Sequence, residues 1–224
     1  MWTYGQYCPL AHALEVLADR WTLLIIRDLM KGIRHFNDLE RGLPGISRGL
    51  LAKRLRQLEQ AGIVEKRLTT GRKSTVYHLT EAGHALEDAV HALWLWGKEW
   101  VFGEPSPDEL NSPLLMWRMH KEVNTDHLPG ERVVVQFNFY GAERSSYWLV
   151  LNPDDVTLCL TDPGFDVNVL VSADLVAFFQ VWAQRISYRE ALDTGQVRVE
   201  GAPRLMRAFP RWFAWSAPEP ETGE

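Results

Sequence analysis

Residues 35–79 read HFNDLERGLPGISRGLLAKRLRQLEQAGIVEKRLTTGRKSTVYHL. Residues 35–41 can form a short helix, which Gly42, Leu43, Pro44 and Gly45 break with two glycines and a proline. Ser47 then offers a hydroxyl to an orphan backbone N–H of a second helix. In that helix Leu51, Leu55 and Leu58 recur at i, i+4 and i+7, a stripe that must face a core. At about 100° per residue Gly49, Lys53 and Arg56 fall away from the stripe, with Ala52 on its flank. Gly62 suits the left-handed position that closes a helix. Residues 63–68 and 74–79 alternate like strands, joined by a turn containing Gly71, Arg72 and Lys73. Helix, tight turn, helix and two-stranded ribbon are the outline of a winged helix-turn-helix.

Charge gives that outline a chemistry. Between Arg41 and Thr80 stand nine basic residues (Arg41, Arg48, Lys53, Arg54, Arg56, Lys66, Arg67, Arg72, Lys73) against Glu59 and Glu65. The whole chain, 224 residues with a net charge of −5, is acidic. Residues 1–100 carry 14 basic and 11 acidic side chains; residues 101–224 carry 10 and 18. The first half can approach a polyanion and the second would be repelled by one. A cationic helix beside a basic hairpin tip suits a phosphate backbone. A recognition helix reads bases with its N-terminal part, which puts Ser47, Arg48, Gly49, Ala52 and Lys53 nearest base edges. Arg56, Arg72 and Lys73 are better placed for phosphates. Arg54 sits beside the apolar stripe and suits an internal ion pair or packing as well as it suits DNA.

Working outward, residues 1–7 read as an arm. Pro9 fits a first helical position, followed by a stripe of Leu10, Ala13, Leu14 and Leu17. Residues 21–30 form the next helix, with Leu24, Ile25 and Leu29 expected in the core. Two cysteines, Cys8 and Cys159, make no disulfide framework and fit a reducing cytosol. No signal peptide or membrane-length apolar run is present, so the expectation is a cytoplasmic protein without a membrane partner.

Several motifs together resemble the HxlR-type winged helix regulators. They are Cys8-Pro9, the run from Asp19 through Trp21 to Leu29, His35-Phe36-Asn37-Asp38-Leu39, Gly45-Ile46-Ser47, Leu51, Leu55, Leu58, Glu59, Gly62, Ile63 and Val64, and Tyr77 through Gly83. The resemblance covers about residues 7–100. It implies a homodimeric bacterial or archaeal transcription factor binding double-stranded DNA, with the helix after Ile46-Ser47 in the major groove. The sequence departs from that pattern at Gly49, where a basic or polar side chain is common, and in lacking a proline pair in the wing. Some members use an N-terminal cysteine as a sensor of oxidants or electrophiles, and Cys8 falls at that position; a lone cysteine is more often an inert packing residue.

Thr80 and Glu81 start a helix expected to reach about Val101. Leu86, Val90, Leu93, Gly97 and Trp100 form one stripe, widened by Trp94, Leu95 and Trp96. A helix apolar on several faces needs a cover, either a second copy or the second domain; the expectation is a homodimer interface.

Residues 103–112 read as a linker between a domain over 1–102 and one over 113–216, leaving 217–224 as a Pro- and Glu-rich frayed tail. Beyond the linker come a helix at 113–126, strand-like runs at 132–140, 146–151, 156–161 and 166–171, helices at 173–185 and 188–194, a strand at 196–200 and a helix at 205–212. The expected fold class is α+β in two domains, the second a curved antiparallel sheet with helices on one side. Ala173-Asp174-Leu175, Ala191 through Gly195 and Val197 through Gly201 resemble the sterol carrier protein type-2 fold. That fold implies an apolar tunnel for a lipophilic effector, lined here by Phe137, Phe139, Trp148, Phe178, Phe179 and Trp182. Such aromatics equally serve as plain core, making the domain structural.

Enzyme chemistry is not visible. His78, His84 and His91 lack the i, i+4 spacing of a helical zinc site, and no phosphate loop or nucleophile elbow occurs. No cofactor or metal is expected. The reading is a regulator; the alternatives are a lipid-binding or structural module whose winged helix serves protein contacts, and a cryptic enzyme.

Overall fold

A computed structural model describes residues 3–68, 75–153 and 155–213. The chain divides into two compact units that meet in sequence between Gly103 and Glu104.

The N-terminal unit begins with α1 (Pro9–Leu17) and α2 (Thr22–Met30). α3 (Phe36–Gly42) and α4 (Arg48–Gln60) follow, then the hairpin β1 (Val64–Leu68) and β2 (Thr75–Leu79). Ser47 caps α4 by accepting the Leu50 N–H at 3.3 Å, and Gly62 leaves the helix at φ 70°. Leu51, Leu55 and Leu58 are fully buried beside Ile25, Ile26, Leu39 and Leu43. Truncating any one of the three to Ala would cost about 2–5 kcal/mol. The hairpin is antiparallel, pairing Val64 with Leu79 and Lys66 with Tyr77, which turns Val64, Tyr77 and Leu79 onto the same core.

Three expected core residues face outward. Leu10 and Leu14 on α1 and Leu24 on α2 are exposed, while Ala11, Ile25 and Ile26 take the inner positions. The helical period is right, but the covered side of each helix is rotated by about one residue. The helix expected from Thr80 to Val101 is broken at Ala85–Leu86 into α5 (Glu81–His84) and α6 (Glu87–Trp100). Gly83 lies so close to the hairpin that a Cβ there would stand 2.3 Å from the Ile63 carbonyl oxygen. On α6 no residue is buried, and Leu93, Trp94, Leu95, Trp96 and Trp100 are all exposed.

The C-terminal unit has α7 (Ser112–Lys121), then β3 (Val133–Tyr140), β4 (Ser145–Asn152), β5 (Asp155–Cys159), β6 (Val169–Asp174), α8 (Leu175–Trp182), α9 (Tyr188–Asp193), β7 (Val197–Gly201) and α10 (Pro203–Ala208). The strand order is β5-β4-β3-β6-β7. The sheet is mixed, not antiparallel throughout as expected: β3 and β6 run parallel. After the β3–β4–β5 meander the chain must pass β4 and β3 to add β6 on the far side, and it arrives pointing with β3. The expected terminal helix at 205–212 is also divided, α10 giving way to a 3-10 turn over Phe209–Trp212. The tail at 217–224 lies outside the described residues.

One face of this sheet carries the core. Val133, Val135, Phe137 and Phe139 meet Leu149, Leu151, Val169, Val171, Phe178 of α8, Met116 and Met119 of α7, and Phe209, Trp212 and Phe213.

A candidate nucleic-acid interface and its surroundings

The outer side of α4 is set by subtraction. Once Leu51, Leu55 and Leu58 are buried, Gly49, Lys53 and Arg56 are exposed and Ala52 is half-buried. The exposed Ser47 is occupied in capping. A Cβ added to Gly49 would meet nothing within 4 Å, so the start of the helix presents bare backbone.

The cations of this region fall into two groups. Arg48 turns back onto α3: it pairs with Glu40, donates to Asn37 Oδ1 at 3.3 Å and lies 4.9 Å above the Phe36 ring. Arg54, with 13% of its side chain exposed, pairs with Asp19 and donates to Gln57 Oε1 at 2.8 Å. Arg67 pairs with its strand neighbour Glu65. Arg41, Lys53, Arg56 and Lys66 are exposed and hold no ion pair or hydrogen bond among the described residues. A charge already satisfied by a carboxylate must lose that partner before it neutralises a phosphate; the uncommitted group has no such cost. Arg72 and Lys73 lie outside the described residues.

The structure thus brings Gly49, Ala52, Lys53 and Arg56 onto one side of α4 and redirects Arg48. It adds Arg41 and Lys66, which the charge count includes but the helix geometry did not select. Their signal, an absent partner, is tertiary. On the hairpin, burial first and then Arg34 and Arg67 push the His78 imidazole below its ordinary value.

Cys8 sits at the N-terminal end of α1, half-buried, with its carbonyl accepting the His12 N–H at 3.1 Å. Among the described residues no three His, Cys, Asp or Glu side chains cluster as a metal site. No helix among them is long and apolar enough to cross a membrane.

In the C-terminal unit the six candidate lining residues do not share one surface. Phe137, Phe139 and Phe178 are buried and packed on each other, with ring centroids 5.1–6.4 Å apart. Phe179 and Trp182 are half-buried at the margin of that core. Trp148 lies on the opposite face: the register pairs it with Gln136 and puts Tyr147 beside Phe137. Strand alternation moves a side chain to the other face with each single step.

Residues 16–104 match the HxlR-like helix-turn-helix family. An HTH-type transcriptional regulator of Synechocystis is 35% identical over 98 residues, 43% of this chain and 73% of that protein. One from Mycobacterium tuberculosis is 40% identical over 97 residues, 43% of this chain and 59% of its own length. The HTH-type transcriptional regulator YodB of Bacillus subtilis is 38% identical over 100 residues, 44% of this chain and 88% of YodB. The structure of reduced YodB aligns with a TM-score of 0.39, at 35% identity over 43% of this chain and 96% of that one. The family match ends at residue 104, where the C-terminal unit begins. Through its first hundred residues this chain belongs to the HxlR-like helix-turn-helix family.

Proposed function

We propose that the protein is a dimeric DNA-binding transcriptional regulator whose C-terminal unit receives a lipophilic effector. The observation that carries the first part is the row of uncommitted cations, Lys53 and Arg56, beside the exposed Gly49 on a helix whose other side is sealed. In this reading α4 enters the major groove and Arg41 and Lys66 hold phosphates, with Arg72 and Lys73 adding to them. A mobility-shift titration against salt, using duplex DNA from upstream of its own gene, tests it. A steep, linear fall of log affinity with log salt is expected. Binding that salt leaves unchanged would remove the DNA reading and favour a winged helix serving protein contacts.

The dimer rests on α6. Leu93, Trp94, Trp96 and Trp100 are 43–73% exposed, and such an apolar surface is a partner site in a water-borne protein. A second copy is the cover that also gives two recognition helices for paired half-sites. Sedimentation should give twice the chain mass, and Trp96→Glu should return it to one chain.

For the C-terminal unit, the sheet with its helices on a single core face supports the sterol carrier type-2-like reading. The aromatic interior is filled by its own rings, so a lipophilic effector enters by displacing Phe179 or Trp182. Solvent extraction of the purified protein followed by mass spectrometry tests this; lipid-free protein that also fails to bind a fluorescent fatty acid would make the unit structural. Cys8, at the start of α1, is the candidate oxidant sensor, and DNA affinity unchanged by diamide would dismiss it.

A further inference from the structure

Tyr77 stands in the middle of β2, directly across from Lys66 of β1, and only 9% of it is exposed. Its backbone N–H points away from β1 and donates to the Arg34 carbonyl at 2.9 Å. The Lys66–Tyr77 pair is therefore the narrow kind that exchanges no ladder hydrogen bonds. Such partners have Cα atoms about 4.5 Å apart and side chains leaving from the same face.

A tyrosine packed this deeply ordinarily finds a hydrogen-bond partner for its hydroxyl. The Tyr77 hydroxyl holds no hydrogen bond among the described residues, and it is not sealed from solvent. The ring fills the core between Val64 and Leu79, so its polar tip alone is left at the surface without a task. Charge surrounds that tip. Arg56 and Glu59 of α4 both act on it, and Lys66 arrives from across the hairpin. Burial first, then Glu59, push the phenol above its ordinary range against the opposing pull of Arg56. It therefore stays protonated at neutral pH and keeps its O–H to donate. Arg56 and Lys66 are exposed and hold no ion pair or hydrogen bond among the described residues, while Glu59 is half-buried. Two cations against one carboxylate leave this place positive. An anionic oxygen acceptor answers both cations and the hydroxyl; a neutral one answers only the hydroxyl.

We propose that Arg56, Lys66 and the Tyr77 hydroxyl form one seat for a single phosphate of the duplex backbone, where α4 meets the hairpin. Tyr77 donates its O–H to a non-bridging phosphate oxygen, and Arg56 and Lys66 neutralise the charge. The division of labour is physical. The cations release counterions and set the salt dependence, whereas the phenol, neutral and fixed by its buried ring, sets where the strand lies. This deepens the DNA reading and rests on it.

The test is a mobility-shift titration of the full chain on two duplexes of equal length, one from upstream of its own gene and one of unrelated sequence. Tyr77→Phe keeps the ring and removes a hydroxyl that has no partner, so the urea midpoint should match the parent. Affinity should fall at least about fivefold, by the same factor on both duplexes, because a phosphate contact carries no sequence information. The slope of log affinity against log salt should not change, since a neutral phenol releases no counterion; Lys66→Gln should lower it by about 0.9 per chain. Two groups on one phosphate must also be coupled. In a Lys66→Gln background Tyr77→Phe should cost less than about twofold, and in an Arg41→Gln background its full factor. Should Tyr77→Phe melt early, the difference between those two backgrounds decides alone. Affinity unchanged by Tyr77→Phe, a slope that falls with it, a loss confined to one duplex, or equal factors in both backgrounds would each overturn the seat while the parent still binds DNA. A parent without salt-dependent binding to either duplex would remove the regulator reading itself, and the seat with it.

Discussion

Replacing Lys53 and Arg56 together with Ala separates a phosphate-binding helix from one that is merely charged. Neither side chain holds an ion pair or hydrogen bond among the described residues, so the change breaks none of those. Each phosphate contact contributes about 0.9 to the slope of log affinity against log salt, so the double variant should lower the slope by about 1.8 per chain. Between 50 and 200 mM salt that amounts to roughly a twelvefold narrowing of the affinity range per chain. Arg54→Ala is the matched control, because it also removes one cation from α4. Its charge is held by Asp19, whose side chain is 48% exposed, so the loss is a discounted surface pair plus some packing, about 1 kcal/mol of stability. The slope should stay within error of the parent. Mobility shifts at four salt concentrations and urea melts of both proteins give the two readouts. A slope unchanged in the double variant, or one that falls equally in Arg54→Ala, would refute the placement of α4 against DNA.

Gly83→Ala should destabilise the N-terminal unit by about 2–3 kcal/mol in urea melts, since the new Cβ meets the Ile63 carbonyl at 2.3 Å and Leu79 Cδ2 at 2.9 Å. Gly49→Ala should instead add about 0.5–1 kcal/mol, its Cβ meeting nothing, while any drop in DNA affinity shows how closely the backbone approaches the groove. Phe137→Ala opens the centre of the aromatic core and should cost about 3–5 kcal/mol in the C-terminal transition, read by circular dichroism. The Tyr4 N–H, then the Thr3 hydroxyl, hold the Glu15 carboxyl below its ordinary range. That depressed value makes the anchorage of the N-terminal segment complete above the ordinary range and lost as pH falls through the lowered one. Hydrogen exchange at Tyr4 should therefore accelerate only once the pH has fallen below the range where an ordinary glutamate titrates, beyond the intrinsic rate change.

The winged helix was legible because its signals are short-range. The Ser47 cap, the leucine stripe of α4 and the exit at Gly62 each depend on residues within a few positions of one another. For the same reason Lys53 and Arg56 could be placed on the outer side of α4 before any coordinates. Periodicity, however, states which side chains share a face, and says nothing of whether that face is covered. Hence Leu10, Leu14 and Leu24 read as core and are exposed. The commitment of Arg54 to Asp19 spans 35 residues, and that of Arg48 to Glu40 depends on how α3 crosses α4. The parallel pairing of β3 with β6 and the outward turn of Trp148 follow from where the chain closes back on itself. Local pattern thus determined the elements and the gathering of positive charge. Only the tertiary structure decided which cations remain free to meet a phosphate, because neutralisation depends on partners that the fold brings in from a distance.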